Sequence, residues 1–258
     1  DIPDGVIILT SGVDVQDDRL ECLIMGWGKN EESWFIDYRT IYGSPAKPEV
    51  WNELDKYLES PRQHENGLSL QVVATAIDTG GHFTQSVYQY VKPRQGRRRY
   101  AIKGMAGTGR ALVSKPSQNN KMRVYLYSVG VDTGKELVYA HLGIEEPGAG
   151  YMHFNRSCDD EYFKQLTAEK QVLKFDKGFP KKVWVKVRPR NEALDATVYA
   201  MAAFVILNPD LNIIAKKLSE DAVKIKDPPK PPKVEQPAYL KMRPLLPRRR
   251  NWVNSWRD

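Results

Sequence analysis

Val6-Ile7-Ile8-Leu9-Thr10-Ser11-Gly12-Val13-Asp14-Val15 decides how the 258-residue chain is read. The run is apolar and β-branched, the pattern of a strand in the middle of a sheet with both faces covered. One carboxylate, Asp14, interrupts it. Aspartate is a poor strand former, and a charge buried without a partner is costly. An arginine partner, or a strand end that reaches water, would answer that cost. A divalent metal ion would answer it too, and two further acidic positions at comparable edges favour the metal.

Outward from this stretch, residues 5–16, 19–28 and 32–41 read as three strands. Asp17-Asp18 and Lys29-Asn30-Glu31 supply short turns between them, so they form an antiparallel meander. Pro45 and Pro48 end that pattern. A helix over 49–59 places Val50, Trp51, Leu54, Tyr57 and Leu58 on one face. Residues 70–77 read as a fourth strand ending in Asp78-Thr79-Gly80-Gly81. A helix begins near Thr84, and Tyr100-Ala101-Ile102 is a short fifth strand. Strand, helix and strand in this order imply a right-handed crossover between parallel strands.

Residues 104–121, rich in Gly, Ser and Asn, read as a loop. Val124–Val129 and Glu136–Ala140 read as a hairpin around Asp132-Thr133-Gly134. Ser157 or Asp159 caps a helix running to about Glu169. Val172–Phe175 and Val183–Val187 read as short strands around Gly178-Phe179-Pro180. A strong helix spans about 191–207, with Leu194, Val198, Met201, Ala202 and Val205 at helical spacing, and Leu211–Leu218 reads as one more short helix.

Hydrophobic residues make up 41% of the chain, enough for a real core. No apolar run approaches the length of a membrane-spanning helix, and no secretory signal pattern is present. Cys22 and Cys158 make no disulfide framework and show no zinc spacing, so a reducing cytosol is the expected compartment. The opening Asp1-Ile2-Pro3-Asp4, without an initiator Met, leads to the expectation of a piece of a longer protein.

The net charge of +7 is uneven. From Lys224 to Asp258 ten Lys and Arg stand against three acids, which leaves 29 basic and 29 acidic residues in the rest. Seven of the 17 prolines also fall there, so 1–223 reads as the folded domain and 224–258 as a basic, Pro-rich extension. Its end, Arg248 to Trp256, mixes basic and aromatic residues, as a docking peptide or a disordered tail would. Within the neutral body, Lys92 to Arg123 carries ten basic residues and no acid. A solvated face is the plain reading; an anionic partner is favoured. Arg94, Arg97, Arg98, Arg99, Arg110, Lys115 and Lys121 are the candidate contacts to such a partner, and to DNA if it is a nucleic acid.

Asp14 and Asp78 lie on strands whose carboxyl ends open into loops, the usual ligand position in α/β sheets. Glu192 and Asp195 begin the last strong helix and share a face, although acids also favour a helix N-terminus for dipole reasons alone. Carboxylates meeting in one place are stable only when protonated or metal-loaded. Hard oxygen ligands select Mg²⁺ or Mn²⁺, and two such ions about 3.5–4 Å apart can activate water and stabilise the leaving oxygen of a phosphodiester. Lys103, at the end of the fifth strand, is a candidate for orienting phosphate or water, and equally a solvated lysine. His82 borders Asp78; one reading has it touching substrate or metal, and for a lone histidine a structural or solvent-facing place is the favoured one. Asp17, Asp18 and Asp37 read as turn and edge residues. Gly104-Met105-Ala106-Gly107-Thr108-Gly109-Arg110-Ala111 is no Walker A loop, since Lys then Ser or Thr does not follow its last glycine.

Thr10-Ser11-Gly12-Val13-Asp14-Val15-Gln16, then Asp18-Arg19-Leu20, resembles the start of the nuclease domain of large terminase subunits, in the branch of lambda-like tailed bacteriophages. Ile77-Asp78-Thr79-Gly80-Gly81, Ile102-Lys103-Gly104 and Asn191-Glu192-Ala193-Leu194-Asp195 continue the likeness, which covers about residues 5–207. The resemblance implies an RNase H-like α/β fold, with a central mixed five-stranded sheet and helices on both faces. It implies a metal-dependent endonuclease that cuts concatemeric viral DNA during packaging. Asp14, Asp78 and Asp195 match the acidic positions, with Glu192 a fourth candidate. A packaging ATPase domain preceding this one, a small terminase subunit, a portal contact through the extension and the host cytoplasm are further implications. Two other readings stand beside it: another RNase H-like nuclease such as a resolvase, and a non-catalytic DNA-binding and docking module.

Overall fold

The computed structural model describes residues 1–118 and 120–226. Three antiparallel strands open the fold: β1 (Ile8–Val15), β2 (Arg19–Trp27) and β3 (Ser33–Tyr42). Helix α1 (Pro48–Glu59) and a small hairpin, β4 (Arg62–Gln63) with β5 (Ser69–Leu70), lead into β6 (Val72–Asp78). Then come α2 (Thr84–Val91), β7 (Arg99–Met105), β8 (Leu126–Gly130), α3 (Val131–Leu142), β9 (Met152–His153) and α4 (Asp160–Leu166). A second hairpin, β10 (Glu169–Asp176) with β11 (Phe179–Lys186), precedes α5 (Glu192–Leu207) and α6 (Leu211–Lys226).

The main sheet runs β8-β7-β6-β1-β2-β3-β9. β1 is antiparallel to β2 and parallel to β6, so the meander and the parallel half join along this one strand. The segment β3-β2-β1-β6-β7 is the expected five-stranded mixed arrangement. The count itself is corrected to seven, because β8 adds parallel to β7 and β9 adds parallel to β3. The expected hairpin over 124–140 is also corrected: β8 is followed directly by α3. Gly134 sits inside that helix, where a Cβ would stand 2.4 Å from Val198 Cγ1. It is a contact residue between α3 and α5, not a turn glycine.

Helices cover both faces of the sheet. Val13 and Val15 of β1 share a core with Val50, Trp51 and Leu54 of α1 and with Val87 and Val91 of α2. The opposite core holds Val138 of α3, Tyr162 and Leu166 of α4, and most of α5. Asp159 caps α4 as the spacing predicts, accepting from the Tyr162 amide at 2.8 Å. Helix α5 is buried on nearly every side, the mark of a central helix. Its Ala193, Ala196, Ala200, Ala202 and Ala203 let neighbours come close.

The tightest of these approaches is to β1. A Cβ at Gly12 would lie 2.0 Å from the Ala196 carbonyl oxygen. Thr10 Oγ1 donates to the Ala200 carbonyl at 2.9 Å and accepts from Trp27 Nε1 at 2.7 Å. Alternate residues of a strand share a face, so Thr10, Gly12 and Asp14 step down α5 turn by turn toward its N-terminus. Among the described residues no single helix is long and apolar enough to cross a membrane. The composition change expected at Lys224 falls inside α6, which runs on to Lys226; the rest of the Pro-rich extension lies outside the described residues.

Candidate active site

Three carboxylates from three elements meet at one end of the sheet. Asp14 is the penultimate residue of β1, Asp78 the last of the adjacent parallel strand β6, and Asp195 lies in the first turn of α5. Asp14 and Asp78 are buried, at 5% and 8% exposure. Burial raises the Asp14 carboxyl well above the ordinary range, and the charges of Asp195, Asp78 and Glu192 raise it further against a 2.6 Å hydrogen bond from Gln16 Nε2. Burial also raises Asp78, opposed by the amides of Gly80, Thr79 and Gly104 and by Lys103. Asp195 is pushed up to about 6 by burial, with Lys135 opposing and Glu169 and Asp78 adding to the rise.

Local sequence explains the presentation of Asp78. Thr79 Oγ1 donates to the Ile102 carbonyl at 2.8 Å and pins the strand end to β7. Gly80 then lets the backbone turn close beside the carboxylate, since a Cβ there would stand 3.0 Å from Asp78 Oδ2. Asp78 Oδ1 is buried with no hydrogen-bond partner among the described residues.

Around these three stands a ring of carboxylates with closer cationic partners; of the three, Asp195 has a cation nearby, Lys135 Nζ at 3.9 Å. Glu21, opposite Asp14 in the β1–β2 register, is fully buried. It accepts from Arg19 Nε at 2.6 Å, Arg190 Nη2 at 2.8 Å and Thr40 Oγ1 at 2.7 Å. The same two arginines hold Glu192, at 2.7 Å from Arg19 and 3.3 Å from Arg190. Glu169, at the foot of β10, is gripped by Lys135 Nζ at 2.8 Å to each oxygen. Asn191 Nδ2 links Glu169 Oε1 to Asp195 Oδ2, each at 2.8 Å. Sequence pattern alone singles out none of Glu21, Glu169, Lys135, Arg19, Arg190 and Asn191 for this ring. Only the Asn191–Asp195 spacing of one helical turn is visible there.

The contrast identifies what the site is suited to hold. Among the described residues, Asp14 has an amide donor and no cation within bonding reach, and Asp78 has an orphaned oxygen. All the donors are hard oxygens, the set that suits Mg²⁺ or Mn²⁺ rather than zinc or copper. Among the described residues, no three His, Cys, Asp or Glu side chains are closed into a ready-made ion cage. The three aspartates act on one another electrostatically without converging that far. Their chemistry fits a divalent cation, and it is the unpartnered oxygen that says so.

The family model described as the terminase large subunit gpA endonuclease domain matches residues 1–217. The chain belongs to this family. The large terminase subunit of Escherichia phage lambda is 36% identical over 231 residues, covering 85% of this chain and 36% of that protein. The large subunit of Enterobacteria phage P21 is 32% identical over 237 residues, with 86% and 37% covered. The chain thus spans a little over a third of the length of these terminase relatives. The crystal structure of the large terminase nuclease domain of bacteriophage SPP1 with bound Mn aligns over 76% of this chain and 85% of that one, at 14% identity and a TM-score of 0.38.

In this terminase-family chain the fold divides the acid-free basic stretch. Lys103, near the carboxyl end of β7, lies close enough to act on Asp78. Arg110 is exposed and folds back onto the Ala106 carbonyl at 2.8 Å, in the loop that follows β7. Arg94, Arg97 and Arg98 lie in the turn that leads into β7 and Arg99 begins that strand, toward the other end of the sheet. Arg94 is paired with Asp55 at 2.7 Å and Arg97 with Glu59 at 2.9 Å, both acids on α1. Arg99 is buried, with Nη1 3.3 Å from Thr75 Oγ1, so its guanidinium faces the interior. Lys115 and Lys121 are exposed on the segment that returns along β8. His82 is exposed and pairs with Asp17 at 2.8 Å on the rim.

Proposed function

We propose that this chain is a divalent-metal-dependent DNA endonuclease domain, with its site at Asp14, Asp78 and Asp195. One observation carries the reading: three separate elements bring these carboxylates to one end of the sheet, where burial raises all three and Asp14 and Asp195 feel their neighbours' charges. Asp14, Asp78 and Asp195 would hold Mg²⁺ or Mn²⁺, two ions in all. Such ions supply an activated water and stabilise the departing oxygen in phosphodiester hydrolysis.

The chain's own residues prepare that chemistry. Gln16 orients Asp14, and Asn191 orients Asp195. Lys135 neutralises Glu169, while Arg19 and Arg190 neutralise Glu21 and Glu192. The repulsion left for a metal to relieve is thereby concentrated on the three aspartates. Lys103 takes a phosphate oxygen beside Asp78, and Glu192, whose charge acts on Asp14, is the fourth candidate carboxylate of the site. In the whole protein this activity would cut concatemeric phage DNA. A preceding packaging ATPase domain and a small subunit would deliver that DNA, and a portal would receive it through the extension.

Supercoiled plasmid incubated with Mn²⁺, Mg²⁺ or EDTA tests the reading. The parent nicks and linearises plasmid only with metal, and Asp14→Ala, Asp78→Ala and Asp195→Ala each abolish cutting. Metal-dependent cutting that survives in folded Asp14→Ala and Asp78→Ala proteins would place the activity elsewhere.

A further inference from the structure

The β10–β11 hairpin stands outside the main sheet and is joined to the carboxylate site at its foot. From Lys170 to Arg188 it carries Lys170, Lys174, Lys177, Lys181, Lys182, Lys186 and Arg188 against one acid, Asp176. All seven basic residues are exposed, and none has a carboxylate partner among the described side chains. Lys174 lies directly opposite Lys181 in the ladder. Like charges directly opposite destabilise a β pair, so this arrangement costs stability when the hairpin is alone. Three large apolar side chains near the tip are also exposed: Leu173 at 58%, Phe175 at 71% and Phe179 at 76%.

The foot of the hairpin is fixed. Trp184 packs against Tyr139 of α3 with ring centroids 5.2 Å apart, and Gln171 Nε2 donates to Glu136 Oε1 at 2.8 Å. Glu169, the first residue of β10, connects through Asn191 to Asp195. Lys186, its partner in the ladder, is near enough to Asp195 to hold that carboxyl down. The ribbon is thus a two-stranded arm anchored beside the site, with exposed cations along it and bare aromatics at the end.

We propose that the β10–β11 hairpin is a binding surface for duplex DNA. Lys174, Lys181 and Lys182 would contact backbone phosphates, and Phe175 and Phe179 would pack against the groove wall or sugars. A two-stranded ribbon has the width to enter a major groove, and phosphates supply the counter-charge that the opposed lysines lack. Continuity with the Asp195 network favours the nucleic acid whose phosphodiester the neighbouring site would cut. This part of the inference rests on the nuclease reading; the binding surface itself does not.

The experiment uses the full 258-residue chain, a fluorescent 30-base-pair duplex in EDTA, and the triple variant Lys174→Ala/Lys181→Ala/Lys182→Ala. Every phosphate that a lysine no longer neutralises reduces the slope of log affinity against log salt by about 0.9, so the triple variant's slope falls by roughly 2–3. Its affinity at low salt falls roughly tenfold or more. Its melting temperature stays at or slightly above the parental value, because the opposed like charges are relieved, and its Mn²⁺ titration is unchanged, because the three exposed lysines make no contact with the carboxylate site among the described residues. Phe175→Ala/Phe179→Ala weakens binding with the salt slope unchanged. Parental affinity and slope in the triple variant would overturn the proposal. So would lysine-dependent binding to anionic phosphatidylglycerol vesicles without lysine-dependent DNA binding. If the parent fails to cut plasmid but the triple variant still loses duplex affinity, the nuclease reading fails and the binding surface stands.

Discussion

Gly12 of β1 and Ala196 of α5 are in backbone contact: a side-chain carbon at Gly12 would lie 2.0 Å from the Ala196 carbonyl oxygen. Two residues further along β1 is Asp14, and one residue back on α5 is Asp195. The meeting of these carboxylates is therefore a consequence of a strand–helix approach that only glycine permits.

Gly12→Ala is expected to force α5 off the sheet. Overpacking against side chains costs typically about 1–3 kcal/mol, and here the opposing atoms are backbone and yield less. A melting-temperature drop together with loss of plasmid cutting is predicted. Gly96→Ala, where a new Cβ meets nothing within 4 Å, serves as the neutral comparison. A Gly12→Ala protein with parental melting and activity would show that the contact is not needed.

The raised carboxyls make stability depend on pH with a definite sign. Asp195 is pushed up to about 6 from an ordinary 3.8, so between those values the folded state holds more protons than the unfolded one. Stability therefore falls as pH rises through that window. In EDTA the melting temperature should be higher at pH 5 than at pH 7.5, by an amount corresponding to about 1.4 kcal/mol from this group. Asp195→Asn should flatten the difference, and saturating Mn²⁺ should remove it by favouring the charged form. Thermal melts across pH with and without metal check this; equal slopes in parent and Asp195→Asn would refute it.

Arg19 joins two buried carboxylates, Glu21 and Glu192. Arg19→Ala leaves the fully buried Glu21 with Arg190 alone. Breaking a buried pair costs about 3–5 kcal/mol, and the lower end is expected because Arg190 remains. Adding Glu21→Gln to Arg19→Ala should restore part of that stability, since it removes the uncompensated charge. Chemical denaturation of the two variants reads this directly, and a double variant less stable than the single one would contradict it.

What the sequence reveals and what it hides follow physical lines. β1, the meander and α5 are legible because burial on both faces or on one stripe leaves a hydrophobic pattern in neighbouring residues. Asp14 and Asp78 stand out as charges inside or at the end of such patterns. Glu21 and Glu169 do not, because what defines them is pairing with Arg190 and Lys135, at sequence separations of 169 and 34. Gly134 misleads because a glycine beside Asp and Thr has the composition of a turn whether it turns the chain or admits Val198. Counting charges over 92–123 cannot show that Arg94 and Arg97 find Asp55 and Glu59 on a helix 39 and 38 residues earlier.

Whether Asp14, Asp78 and Asp195 hold a divalent cation is read by calorimetric titration of Mn²⁺ into the metal-free chain at pH 7.5. The parent should bind Mn²⁺, and Asp14→Asn and Asp78→Asn should each abolish that binding while melting no lower than the parent in EDTA. Undiminished Mn²⁺ binding in both variants would mean that the ion is held elsewhere.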